Sequence, residues 1–283
     1  MYFCDNCNSE VPFSDEKCPT CGKYIGPPNV RAVKSKEEID ALNARYKTAF
    51  KNSHKNGSFD NLKAFEEEAK KSCAVINCNL YFLIYFCTND KVLYSNYSLQ
   101  RKGQSRKAAD EEDDKRRRSV EAMFFGDYAE EIRYAALSLN GIGLKSYGAY
   151  SILLKEIAIQ DRATLLENNS YGFVLKKDLR AGDKIPVGFR SCWGDRHKLA
   201  VSKLQPIIHA NTKMNEFAKI LLKADSKNRA NDEFIEVHIY GGFDNKAVES
   251  VTANFKSKDK KERAFQNITR DILKKSSVVV IEL

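Results

Sequence analysis

Over residues 233–240 apolar and polar side chains alternate with period two, which predicts a β-strand. Ile235, Val237 and Ile239 fall on one side and require a core. Phe234, Glu236, His238 and Tyr240 fall on the other. A carboxylate, an imidazole and two aromatic rings on one strand face form either a solvated surface or the wall of a site. Gly241-Gly242 ends the run, and Asp244 is placed to cap a helix after it. Residues 133–139 and 147–155 also read as strands, joined by the turn Asn140-Gly141-Ile142-Gly143, and 278–283 reads as a last strand.

Elsewhere the period is helical. Ile39, Leu42, Tyr46, Ala49 and Phe50 predict one helix. Leu62, Phe65 and Ala69, behind a cap at Ser58 or Asp60, predict a second. Residues 206–224 predict a third, capped near Asn211 or Thr212, with Phe217, Ile220 and Leu221 as its stripe. Val248 and Val251 mark a short helix, and Phe265, Ile268, Ile272 and Leu273 a longer one. Residues 75–86 are apolar all round and fit a buried helix or strand, broken at Asn89-Asp90-Lys91. Strands outnumber a βαβ alternation and helices gather at the two ends, so the class is α+β, with no internal repeat.

Composition changes this picture in two places. A hydrophobic content of 42% over 283 residues supports an ordinary buried core. A formal charge of +9 favours polyanionic company, namely nucleic acid, a phosphate-rich ligand or an acidic partner, although a solvated basic surface is the commoner explanation of any single Lys or Arg. The charge makes residues 94–119 notable, with Asp110 to Asp114 followed by Lys115-Arg116-Arg117-Arg118. That stretch is read as a mobile surface loop, or else as one that closes over a ligand or touches a phosphate backbone. The first residues show neither a basic nor an apolar signal region, and the apolar run 74–87 is too short to span a bilayer. The expectation is a cytoplasmic protein with no membrane partner.

Cys4-x2-Cys7 and Cys18-x2-Cys21 lie ten residues apart, with Pro19 and Gly22 supplying turn chemistry. Two such turns complete a tetrahedral four-sulfur site, so structural Zn2+ is expected. A redox Cys-x-x-Cys fits poorly, since nothing around it reads as βαβ. Cys73, Cys78, Cys87 and Cys192 read as reduced core thiols. Gly26-Pro27-Pro28-Asn29 reads as a stiff linker, which sets a zinc ribbon at 1–28 and a second domain at 29–283. The latter has a helical part at 29–93 and a core at 94–283. No Walker loop or three-glycine fingerprint is present, and His197, His209 and Cys192 show no nucleophile–base spacing.

Four short motifs occur in order over roughly residues 90–255. They are Arg133-Tyr134-Ala135-Ala136-Leu137, then Tyr147-Gly148-Ala149-Tyr150-Ser151, then Arg162-Ala163-Thr164 with Asn169-Ser170, and Ile235-Glu236-Val237-His238-Ile239-Tyr240-Gly241-Gly242. In this order they resemble a bacterial ADP-ribosyltransferase-like family. The chain departs from its pattern where Ala136 replaces a Tyr, Ala149 a Ser, Asn169 an Asp, and His238 and Tyr240 a Gln and a His. The resemblance implies a split antiparallel sheet that clamps NAD in a groove. It implies Glu236 as the carboxylate that steadies an oxocarbenium-like ribose, and Arg133 as the grip on phosphate or ribose oxygens. Ser151, sharing a strand face with Tyr147, would brace the residues that touch substrate. Tyr147 or Tyr171 would stack on nicotinamide, and His238 would support Glu236. Plain packing remains open for the two tyrosines, and a structural role for His238.

By the same analogy the chain is a toxin or anti-phage effector held by an antitoxin, sometimes with a chaperone. The basic charge and the ribbon favour a nucleic-acid acceptor, RNA above all, over a protein one. Two other readings stand beside it. One is a non-catalytic zinc-ribbon nucleic-acid binder. The other is a nuclease, although no His-x-x-x-Asn motif or acidic metal cluster supports it.

Overall fold

The structure is a computed structural model, and it describes residues 2–88, 91–103, 111–225, 231–257, 259–275 and 278–283. The break expected at Asn89-Asp90 lies outside the described residues, as do 104–110 of the charged stretch. In chain order the strands are β1 (Tyr2–Phe3), β2 (Glu10–Val11), β3 (Cys73–Cys78), β4 (Ile132–Ser138), β5 (Tyr150–Leu154), β6 (Ala163–Leu166), β7 (Arg190–Cys192), β8 (Glu236–Tyr240), β9 (Val248–Ala253) and β10 (Val279–Glu282). The helices are α1 (Pro28–Val33), α2 (Lys36–Lys55), α3 (Phe59–Lys70), α4 (Leu80–Thr88), α5 (Tyr97–Lys102), α6 (Glu111–Phe125), α7 (Glu156–Ile159), α8 (Ser170–Lys176), α9 (Arg196–Leu204), α10 (Phe217–Leu221) and α11 (Lys260–Lys275). No described helix is long and apolar enough to cross a membrane.

The class is α+β, as expected. Eight strands form one mixed sheet in the order β10-β9-β5-β3-β4-β8-β6-β7, continuous rather than split. Only β10, parallel to β9, departs from antiparallel pairing among these neighbours. One face carries the main core. There Ile76, Leu137, Ile152, Leu165, Val237 and Ile239 meet the apolar stripes of α2, α3, α4 and α9. Opposite, α6 and α8 cover part of the sheet with Val120, Phe124, Phe125 and Phe173.

Several sequence expectations change in the structure. The all-apolar run 75–86 is both a strand and a helix. Asn79 divides them, its side chain accepting from Phe82 N at 2.8 Å as α4 begins. Residues 206–224 are not one helix. Two 3-10 turns, Gln205–Ile207 and Met214–Glu216, interrupt the stretch, and the expected stripe of Phe217, Ile220 and Leu221 lies on the short α10. The longer apolar helix is α9, just upstream, with Leu199, Ala200, Val201 and Leu204 buried. Val248 and Val251 belong to a strand. Leu153 faces Ser250 and Leu154 faces Val248, so Glu249 is bulged out, and both valines turn to the core at a spacing that mimics a helix. Within 94–119, residues 97–102 and 111–119 are helical, in α5 and α6, instead of loop. On α11 the buried side chains are Gln266, Thr269 and Leu273, whereas Phe265 and Ile268 are exposed. Gln266 fastens that helix by donating to Tyr150 Oη at 2.9 Å and accepting from Ser257 N at 3.0 Å.

Residues 26–29 are more than a spacer. Pro28 opens α1, where its missing N–H costs nothing. Asn29 is buried and its amide donates to Arg162 O at 3.1 Å, Thr164 Oγ1 at 3.3 Å and His238 O at 3.1 Å. From the same helix Arg31 donates to Phe13 O, Asp15 O and Gly26 O, and its guanidinium lies over the Tyr2 ring. One turn of helix therefore holds the N-terminal module with one residue and β6 and β8 with another. Replacing Asn29 by Ala strands buried acceptors. Stability to urea should fall by about 1–3 kcal/mol with an unchanged m-value; a loss within error would show that α1 contributes packing alone.

Candidate functional site

The N-terminal module is built on two equivalent turns. Asn8 N donates to Cys4 O at 2.8 Å and Gly22 N to Cys18 O at 2.8 Å. The residue after each second cysteine is left-handed, Asn8 at φ 54° and Gly22 at φ 71°. Asparagine and glycine tolerate that conformation best, and it points both thiols of each pair at one spot. The four Sγ atoms of Cys4, Cys7, Cys18 and Cys21 lie within 4.8 Å of one another, with Cys4–Cys21 at 3.7 Å and Cys7–Cys18 at 3.6 Å. Zn–S bonds of about 2.3 Å give a tetrahedron edge of about 3.8 Å, so the group fits a metal such as zinc. Cys73, Cys78, Cys87 and Cys192 are free thiols, and burial raises the pKa of each, to about 11 for Cys73 and about 12 for Cys87. They behave as core groups.

A cavity of about 500 Å³ opens on the sheet face opposite the main core. Its floor is Val75, Asn77, Tyr134, Ala136 and Glu236, and α5 and α6 wall it with Tyr97, Gln100, Arg116, Arg117 and Glu121. The pleat places these residues. Ala136 lies opposite Glu236 and Tyr134 opposite His238, so all four share one face, while Ile235, Val237 and Ile239 fill the core on the other.

Glu236 has 13% of its side-chain surface exposed, and three hydrogen bonds converge on Oε2. They come from Ser170 N at 2.8 Å, from the Ser170 hydroxyl, and from His238 Nε2 at 2.9 Å. Ser170 is the first residue of α8, whose cap is the Asn169 side chain accepting from Gly172 N at 2.6 Å. The start of a helix thus aims an N–H at the carboxylate. Burial pushes the Glu236 pKa up, but the His238 hydrogen bond and charge, with the two Ser170 bonds, outweigh it and hold the carboxyl below its ordinary value. His238 is boxed by the rings of Phe125 at 4.9 Å, Tyr134 at 5.5 Å and Phe124 at 6.4 Å.

The other expected residues divide. Tyr147 and Tyr171 both line the cavity, 43% and 42% exposed. Tyr147 lies in a 3-10 turn (Lys145–Tyr147) before β5 and so does not share a strand face with Ser151. Tyr171 stands in the first turn of α8. Ser151 does not line the cavity. Its Oγ accepts from Asn77 Nδ2 at 3.1 Å and from Gly143 N at 3.2 Å, holding Asn77, which does. A Cβ at Gly143 would come within 2.0 Å of Asn77 Oδ1, so any larger residue there would displace the Asn77 side chain.

Arg133 is elsewhere. It lies opposite Ile239, hence on the core face, and its buried guanidinium donates to Tyr94 O at 2.9 Å and Glu130 O at 2.7 Å. A one-residue offset along β4 decides this, placing Tyr134 and not Arg133 beside the carboxylate. The arginines on the cavity wall, Arg116 and Arg117, come from the charged run that the sequence pattern left between two readings. Ser170 was also unassigned as a site residue. The signal available for it was Asn169-Ser170 ahead of an apolar segment, which is a helix-start pattern.

No protein-family model matches the chain, and no curated protein matches it. The resemblance to ADP-ribosyltransferases therefore rests on its four motifs.

Two outcomes test the site description. Purified protein should carry one zinc per chain by elemental analysis, and Cys18→Ser should abolish retention; metal retained at full stoichiometry by the variant would displace the four-sulfur assignment. Because the folded-state pKa of Glu236 is depressed, its contribution to stability is present above the unfolded carboxylate value of about 4.3 and is lost as pH falls through the folded value. The stability gap between wild type and Glu236→Gln, followed by urea denaturation, should be flat near neutrality and close in acid. A gap that widens in acid would reverse the assignment.

Proposed function

We propose that the cavity binds NAD and cleaves its nicotinamide–ribose bond, transferring ADP-ribose to an acceptor, and that the sheet is a variant of the ADP-ribosyltransferase kind. The observation that carries this reading is Glu236, held in its ionised form on the floor of a cavity otherwise rich in tyrosines and arginines. As the bond to nicotinamide breaks, its electron pair leaves with nicotinamide and positive charge grows on the ribose. A fixed carboxylate in a partly dry site stabilises that charge far better than water does. Its three hydrogen bonds all fall on Oε2, so Oε1 is the oxygen to face the sugar. Tyr147 and Tyr171, both at the cavity surface, are placed to stack on flat rings.

A net charge of +9 and a four-cysteine module that fits structural zinc favour nucleic acid as acceptor, RNA in particular, over a protein. Under this reading the chain is a cytoplasmic toxin or anti-phage effector restrained by an antitoxin or chaperone.

Incubation with labelled NAD and separate RNA, DNA and protein pools tests the reading. Label should enter the RNA pool, and Glu236→Gln, which keeps shape and removes charge, should lower the rate by about 10²–10³-fold with the fold intact. Label in protein would move the acceptor. Polymer clipped without NAD would replace the reading by a nuclease, and salt-sensitive binding without NAD turnover by a non-catalytic binder.

A further inference from the structure

Arg133 leaves a gap in the proposed site, since the cation expected to grip the ligand's anionic part is buried on the far face with its donors spent on carbonyls. Arg117 of α6 stands on the cavity wall instead. Its Nε donates to Glu121 Oε1 at 2.9 Å, and Glu121, itself buried, accepts from Ser98 Oγ at 2.9 Å through its other oxygen. The guanidinium lies 4.6 Å from the centre of the Tyr97 ring and 5.8 Å from that of Tyr134. The Nε side of the fork is thus tied, and the guanidinium lies against two tyrosine rings. The two Nη groups have no hydrogen-bond partner among the described residues, and 41% of the side chain is exposed.

We infer that Arg117, pinned through Glu121 and flanked by Tyr97 and Tyr134, is the phosphate-binding residue of this cavity and grips the diphosphate of a nucleotide through its two Nη groups. The inference deepens the NAD reading and rests on it for the identity of the full ligand. A guanidinium with Nε occupied presents a parallel pair of N–H donors, which matches two oxygens of one phosphate and gives both strength and orientation. Stacking on tyrosine lowers the entropy lost on binding, because the side chain is already placed. Glu121 has a second effect. It balances the guanidinium while the cavity is empty, so that a half-buried cation is not left unpaired. Arg117 also lies close enough to Glu236 to feel its charge, so the phosphate grip and the ribose carboxylate share one cavity.

The test is calorimetric binding of ADP, inorganic pyrophosphate and adenosine to wild type, Arg117→Gln and Arg117→Lys, at one fixed salt concentration. ADP affinity should fall about ten- to a hundred-fold in Arg117→Gln, given about 1.5–3 kcal/mol for hydrogen bonds to charged groups. Arg117→Lys should recover only part of it, having lost the fork, and adenosine affinity should hold in all three proteins. Equal ADP affinity in wild type and Arg117→Gln would overturn the inference. So would an equal loss for adenosine, which would mean damaged packing, or failure of wild type to bind ADP and pyrophosphate at all. The two readings separate cleanly. ADP binding that depends on Arg117, without NAD turnover, sustains the phosphate site and removes the transferase. NAD turnover with an unchanged KM in Arg117→Gln does the reverse.

Discussion

A carboxylate kept ionised at the floor of a half-closed cavity is the constraint on which the rest of the site depends. Taking a carboxylate out of water is costly unless hydrogen bonds and opposite charge replace its hydration. For Glu236 the replacement comes from three elements: His238 two residues along β8, the hydroxyl of Ser170, and the N–H that opens α8. The register of β8 against β4 and β6 turns Glu236 and His238 to one face, and the Asn169 cap fixes where α8 starts. A slip of one residue in β8 would bury Glu236 in the apolar core and bring Val237 to the cavity.

The basic composition has two separate uses. Arg31, Arg133, Arg162 and Arg196 spend their donors chiefly on backbone carbonyls, tying together turns and strand ends that no ladder reaches. Burial lowers the pKa of all four. They are structural cations, and Arg31 with Asn29 of the same helix connects the cysteine module to the strand that carries Glu236. Arg116 and Arg117 belong to the second use, on the cavity wall. An excess of positive charge in the sequence therefore overstates the surface available to a polyanion, since part of it is internal wiring.

Much of the architecture was legible along the chain. Period-two alternation found β4 and β8, and helical spacing found α2, α3 and α11. The paired cysteines found the four-sulfur group that could hold a metal, because its members are close in sequence and each turn is a local structure. Where local pattern misled, a tertiary feature explains it. The bulge at Glu249 put two valines on one face at helical spacing, and Asn79 divided an apolar run into a strand and a helix. The exposed Phe265 and Ile268 of α11 share the amphipathic pattern of buried positions, and the docked side is the one that carries Gln266, Thr269 and Leu273.

What the sequence by itself determined was the α+β class, the four-cysteine group, and the side of β8 on which Glu236 and His238 stand, because each follows from spacing within a few residues. Only the tertiary structure decided which cations join that carboxylate. Arg133 lies in an apolar strand pattern beside Tyr134 and Arg117 in the charged run 115–118, and neither local pattern says which of them reaches the carboxylate. Pairing with Ile239 turned the first into the core, while the crossing of α6 over the opposite face brought the second to the cavity. Which groups meet across a sheet is set by register and by layer packing, and those are properties of segments distant along the chain.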